Sequence, residues 1–279
     1  MASQSRNKLK HYNYPVFLFL LVFSLIMLFP FAWMILSAFK TSAEVLAYPL
    51  VWFPSTYKFD NFTKVFDMVP FGRYYFNTVV TSAAQTVLQI GMSVCAAYAF
   101  AKLKFPFKRT IYMLIQSAMF VPMSVLVVPI YQMISRSGMT DSYLGIILPQ
   151  VLGVFTTMML ISFFQTIPDD LMDAAKIDGC GYFKIMWHVI IVNSVTAIAT
   201  ALLYAFLSHW RSYMWPLLVT NKTEMRTVQV GMAMLQSQEN LFYGRVLAGA
   251  IICALVPTIL FLFAQDHIIK GMSAGAVKG

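Results

Sequence analysis

Six uncharged, largely apolar stretches divide the chain, at residues 11–39, 74–101, 110–135, 142–168, 185–210 and 246–265. Each holds the roughly 20 residues that a helix needs to cross about 30 Å of hydrocarbon, and in lipid only helices or closed barrels satisfy their own backbone groups. Barrel strands alternate polar and apolar positions, so runs this long and continuous argue against them. The stretches predict an all-α membrane protein with six transmembrane helices, near 14–39, 76–101, 111–134, 143–164, 188–208 and 246–265.

Composition agrees: 59% of residues are hydrophobic and 11% charged, with a mean hydropathy of +0.70, which makes lipid the main solvent. The first apolar run exceeds a secretory signal's apolar core and has no clear small-residue cleavage site, so it reads as a retained helix. Arg6, Lys8 and Lys10 before the first stretch, with Lys102, Lys104, Lys108 and Arg109 after the second, place those segments and both termini in the cytoplasm. The net charge of +9 is spread over loops on both faces. That distribution excludes a nucleic-acid stripe and points to anionic lipid headgroups.

No long linker, low-complexity segment or repeat interrupts the chain, which reads as a single membrane domain over 1–279. Residues 45–57 are apolar but short and broken by Pro49 and Pro54, so they are expected on the membrane surface or packed on the helices. Cys95, Cys180 and Cys253 are far apart and show no metal-ligand spacing. His11, His188, His209 and His267 sit near helix ends and read as interfacial residues.

The gap at 165–187 differs from the others. It contains Pro168-Asp169-Asp170-Leu171-Met172-Asp173-Ala174-Ala175-Lys176-Ile177-Asp178-Gly179. Proline suits a helix start, the first aspartates suit its positive end, and Gly179 suits a left-handed cap. Helical spacing gathers Leu171, Ala174, Ala175 and Asp178 on one face, where small side chains let another surface approach. Tyr182, Phe183, Ile185, Met186 and Trp187 then suit the membrane interface. The expected product is a stiff projecting knob; taken alone, the same segment also reads as a solvated charged turn.

Asp173-Ala174-Ala175-Lys176-Ile177-Asp178-Gly179 resembles the EAA signature of permease subunits of binding-protein-dependent ABC importers. The match lies in the loop where that family carries it, with Asp173 in place of the usual Glu and Val192 in place of a later Pro. Residues 77–81 and Ala97-Tyr98-Ala99-Phe100-Ala101, Trp210 with Trp215-Pro216-Leu217-Leu218, and the ending 271–279 resemble the carbohydrate branch, in particular its maltose-type second permease. The resemblance implies a coupling helix, with Asp173, Ala174, Ala175, Asp178 and Gly179 docking on a cytoplasmic ATPase. It also implies that the tail Ser273, Ala274, Gly275, Ala276, Val277, Lys278 and Gly279 reaches into the ATPase dimer. A Gly-rich tail is suited to threading a narrow gap.

On this reading the chain is a six-helix permease in a bacterial-type inner membrane. Its implied partners are a second permease in a heterodimer, an ATPase dimer and an extracytoplasmic sugar-binding protein. No cofactor is expected on this chain; ATP and Mg are expected on the ATPase, since no GxxxxGK[ST] loop occurs here. Similar subunits serve maltodextrins, raffinose-type oligosaccharides, glycerol phosphate and acidic oligosaccharides, and the resemblance leaves the solute open among them.

In the second stretch Ser82, Gln85, Gln89 and Ser93 form a polar stripe at helical spacing, which in lipid must face other helices or a water-filled path. Gln85, Gln89, Tyr98, Asn193 and Tyr204 are candidate sugar contacts, and interhelical hydrogen bonding is the competing reading. Pro122, Pro129, Pro149 and Pro257 are expected to kink their helices. The six stretches contain no carboxylate. That argues against an enzyme with paired acids and against an ion-coupled carrier, which places ionisable groups within the bilayer. A self-contained secondary carrier or channel for a small polar solute is the alternative function.

Overall fold

The computed structural model describes residues 14–236 and 242–276, and the regular structure among these residues is helical throughout. In chain order the helices are α1 (Tyr14–Ala38), α2 (Ser42–Val45), α3 (Asp60–Met68), α4 (Phe71–Lys102), α5 (Lys108–Ser117), α6 (Met123–Arg136) and α7 (Tyr143–Ile147). There follow α8 (Val154–Phe164), α9 (Asp169–Ile177), α10 (Tyr182–Ile185), α11 (Val195–Trp210), α12 (Met214–Val219), α13 (Val228–Gln236) and α14 (Tyr243–Ala276). Among the described residues two compact units form, one within 1–65 and 239–251 and the other within 66–238 and 252–279.

In the first unit α1 is apolar on every side, and Leu18, Ile26 and Phe31 are each about 60% exposed, as befits a helix dissolved in lipid. The amide of Asn61 donates to the carbonyls of Ala38 (2.8 Å) and Lys40 (3.0 Å), closing the end of α1, where carbonyls lack helical partners. Lys40 is fully buried, its Nζ donating to Val51 O at 2.6 Å and lying 3.8 Å from the Trp33 ring centre. Trp52 meets the edges of Phe29 and Trp33, so the segment expected on the membrane surface or the helices packs on α1. Glu44 completes a capping box with Thr41 and accepts from the amide and hydroxyl of Ser55.

The second unit is organised by α4, 32 residues long, which packs chiefly against α8 and α11. Ile90, Val94, Ala97 and Phe100 of α4 join Leu160, Ile161 and Phe164 of α8 and Ala201 and Ala205 of α11 in one buried core. The alanines let the helix backbones close on one another. Toward its start α4 buries Tyr74, whose ring an added Cβ on Gly231 of α13 would strike.

Among the described residues three helices are long and apolar enough to cross a membrane by themselves, namely α1, α4 and α14. Three bent pairs pass the same test only together: 108–120 with Met123–Arg136 (100°), 143–150 with Val154–Phe164 (45°), and 182–191 with Val195–Trp210 (87°). The helices expected over 111–134, 143–164 and 188–208 are thus broken, the first two close to Pro122 and Pro149, where the sequence predicts kinks, and the third at a place the sequence does not mark. At the first break Pro122 lacks an N–H and holds Val121 extended, at φ −80° and ψ 114°. At the second, Pro149 sits in a tight 3₁₀ turn and Gly153 is extended. At the third, a π-helical turn over Met186–Ile191 gives way to Asn193, whose amide donates to Val189 O, and to non-helical Ser194. Such side-chain bonds compete with the helical ladder. Pro129 and Pro257 remain inside α6 and α14, while α4 begins earlier than expected and α14 runs on past 265.

Gly231→Ala should lower the melting temperature in mild detergent, with an overpacking cost of about 1–3 kcal/mol. Gly91→Ala, where nothing lies within 4 Å, should be neutral or stabilising. Hydrogen bonds from Ser55 and Thr41 hold the Glu44 carboxyl down at about 2. Because its folded value is depressed, its contribution is complete above the ordinary carboxylate range and lost as pH falls through about 2. The protection factor of the Ser55 amide, its exchange rate corrected for the intrinsic pH dependence, should accordingly hold down to about pH 4 and fall as the pH drops through about 2.

Candidate functional site

Helix α9 occupies the anticipated place. Pro168 precedes its first turn, and Gly179 follows it at φ 76°. The Gly179 amide donates to Lys176 O (3.0 Å) and the Cys180 amide to Ala175 O (2.9 Å), a Schellman closure that only a left-handed residue completes without strain. Met172, 5% exposed, sinks into the core of the second unit with Ala175 packed partly against it. Leu171, Asp173, Ala174, Ile177, Asp178 and Gly179 face outward, and Ile177 is 87% exposed. Ala175 thus belongs to the inner side of the helix, and Ile177, absent from the sequence-derived set, belongs to the outer.

Lys102, the last residue of α4, ties that helix to α9. Its Nζ donates to Ile167 O (2.5 Å) and to Asp169 Oδ1 (2.6 Å), with its side chain only 4% exposed. The Lys102 hydrogen bond and charge hold the Asp169 carboxyl below its ordinary range, and the neighbouring Asp173 carboxylate raises Lys176, 2.8 Å away. The sequence marks Lys102 only as one of several basic loop residues; its burial emerges from the fold.

The polar stripe of α4 is buried between helices. Gln85 Nε2 donates to Ile146 O (3.0 Å), and Thr157 Oγ1 donates to Ser93 Oγ (3.0 Å). Gln89 Nε2 donates to Thr156 Oγ1 (2.7 Å), while its Oε1 lies 2.8 Å from His209 Nε2, which therefore carries the proton. A Cβ on Gly153 would collide with the Gln89 amide, so the break before α8 is closed around this side chain. His209, read as interfacial, is 8% exposed and a member of this cluster. Nearer the start of α4, Asn77 Nδ2 donates to Glu224 O (2.7 Å) and Arg226 O (2.9 Å), and its Oδ1 accepts from the Tyr143 hydroxyl (2.7 Å).

The candidate sugar contacts do not converge on one place. Gln85 and Gln89 bridge helices, and Tyr98 is buried near the end of α4. Asn193 is exposed and bonded to Val189 O, while Tyr204 is 44% exposed, its ring 4.8 Å from that of Phe155. In the tail, the backbone of Ser273, Ala274, Gly275 and Ala276 continues α14. Their side chains, and Val277, Lys278 and Gly279 altogether, lie outside the described residues.

The profile of the family described as binding-protein-dependent transport system inner membrane component matches residues 89–274. The chain belongs to that family. This permease is 32% identical over 255 residues to the sulfoquinovosyl glycerol transport system permease of Agrobacterium fabrum, covering 90% of this chain and 89% of that one. It is 30% identical over 271 residues, and 96% of both chains, to the arabinooligosaccharides transport system permease of Bacillus subtilis. In fold it is similar to a chain of a bacterial ABC transporter that imports the acidic polysaccharide alginate, with a TM-score of 0.77, 22% identity, and coverage of 95% and 99% of the two chains. The permease is thus an inner membrane component of a binding-protein-dependent transport system.

Lys102→Met should free the start of α9, raising amide hydrogen exchange over 167–179 by about tenfold, on the scale of a lost charge-assisted hydrogen bond. Exchange in α8 should be unchanged, and Lys102→Arg should retain much of the protection. Because Asp169 is depressed, the protection should persist below the usual carboxylate range and disappear only as the pH falls through its lowered value.

Proposed function

We propose that the permease imports a sugar or oligosaccharide, driven by a separate cytoplasmic ATPase that grips α9 and meets the tail at Ser273–Gly279. The observation that carries this reading is the construction of α9. Its two ends are fastened, by Lys102 at the start and the Schellman closure at the finish, while Leu171, Ala174, Ile177 and Asp178 face outward. A helix held rigidly behind an outward-facing side transmits force instead of absorbing it. The carbohydrate character rests on the sugar-containing substrates named for the relatives.

In this mechanism α9 lies on the cytoplasmic side, and both termini are cytoplasmic. A substrate-loaded binding protein docks on the extracytoplasmic loops, including the segment from Trp210 to Pro216. ATP, with Mg, closes the ATPase dimer; α9 moves with it and pulls α4 through Lys102. The six apolar stretches of this chain, joined to those of a second permease in a heterodimer, then turn from inward- to outward-facing. Gln85, Gln89, Tyr98, Asn193 and Tyr204 remain proposed contacts along the solute path.

Ile177→Asp, at an 87% exposed position, should change folding stability by no more than about 0.5 kcal/mol. Affinity purification of the tagged chain from its native membrane should nevertheless lose the ATPase while retaining the second permease. Asp173→Lys should do likewise and abolish uptake. Equal recovery of the ATPase with both variants would sink the assignment of α9.

A further inference from the structure

Beside α9, within the second unit, lies a cavity of about 450 Å³. It is lined by Tyr98 and Lys102 of α4, Lys104 just beyond it, Met172 and Lys176 of α9, and Tyr182 of α10. Three lysines line it and, among the described residues, no aspartate or glutamate does. The carboxylates that pair with two of them, Asp169 and Asp173, have side chains 74% and 64% exposed. An ammonium carries three N–H donors, so Lys102, with two acceptors, keeps one, and Lys176, with one acceptor, keeps two. Lys104 makes no ion pair among the described residues and is exposed. The donors therefore outnumber the acceptors that the protein supplies, and their shared complement is an anionic group with several oxygens.

The surroundings narrow the source of that group. Buried Met172 and Tyr98 give the cavity an apolar side, and Tyr182 on its lining is 65% exposed. Phe183 of α10 and Trp187 in the π-helical turn that follows it are 77% and 61% exposed. Exposed Tyr, Phe and Trp together mark the level of lipid headgroups, and a basic pocket at that level suits a phosphate that arrives attached to a lipid.

We propose that this cavity binds the headgroup phosphate of an anionic phospholipid, seating a lipid against both α9 and the end of α4. The placement at the membrane surface rests on the reading of α9 given above, but lipid retention involves neither ATPase nor transport. Loss of coupling and loss of lipid are therefore separate observations. A lipid seated here would bear on the same two lysines that fasten and flank α9, so the charge of the membrane would tune how firmly that helix is held.

The test uses the full chain, purified in neutral detergent and offered equal amounts of phosphatidylglycerol and phosphatidylcholine, with bound lipid counted by native mass spectrometry. One phosphatidylglycerol should be retained in preference to phosphatidylcholine, and millimolar inorganic phosphate should not displace it. Lys104→Gln should reduce retention about fivefold, the effect of one basic residue on an anionic surface, and Lys104→Arg should restore it. Arg109→Gln, an exposed charge outside the cavity, should leave retention intact. Equal retention of the two lipids, or equal losses from the Lys104 and Arg109 variants, would reduce the effect to diffuse surface charge and overturn the site. Displacement by inorganic phosphate would overturn the lipid assignment in favour of a soluble phosphate.

Discussion

A polar side chain buried in an apolar interior has to find its partner inside the protein, and the second unit is assembled around one helix that obeys this rule repeatedly. Along α4, Asn77 holds the strand of loop at Glu224 and Arg226, Thr78 accepts from the Val228 amide, Gln85 reaches Ile146, and Gln89 joins Thr156 to His209. Together these bonds reach four separate stretches of chain, around residues 146, 156, 209 and 224–228. Apolar packing against α8 and α11 is non-directional, whereas these bonds admit one rotational setting of α4. Trp215 Nε1 on Gly145 O and the Asp141 carboxylate on the amides of Asn221 and Lys222 extend the same device into the connecting segments.

This makes the far end of α4 a natural place to receive or deliver displacement. Lys102 stands where the helix stops, and its ammonium reaches both the carbonyl before α9 and the first carboxylate within it. The connection is short, charged and almost dry on the lysine side, so α9 has little freedom to move without α4. The opposite end of α9 is closed by its own backbone around Gly179. A nine-residue helix would hardly persist alone in water; this one persists because Met172 and Ala175 hold its inner side.

Much of this is legible in the residues. Long charge-free runs reveal α1, α4 and α14, and Pro168, the aspartates and Gly179 outline α9 almost residue by residue. What escapes is direction. A hydropathy run counts residues but is blind to an angle, so the prolines announce kinks near Pro122 and Pro149 without their size, and nothing announces the break at Ser194. Spacing likewise reports that Gln85, Gln89 and Ser93 share a face but not what that face meets, and it places His209 at a helix end without showing Gln89 beside it. Ala175 turns inward, and Ile177 joins the outer side, for a related reason: a short helix at an interface has no long apolar stripe to orient it, and the anchoring choice falls to Met172.

The three breaks bear on how such a chain enters the membrane. Helices α5 and α6 have 10 and 14 residues, and α8 and α11 have 11 and 16. At 1.5 Å per residue these rods measure roughly 15, 21, 17 and 24 Å, all short of the roughly 30 Å hydrocarbon core. None is a free-standing span, and each bend exposes backbone groups that lipid cannot satisfy. Insertion of these segments is therefore bound up with tertiary folding: α1, α4 and α14 can be threaded as rods, while the bent pairs acquire their final path against folded neighbours, α8 and α11 on α4, and α5 and α6 on α8 and α12.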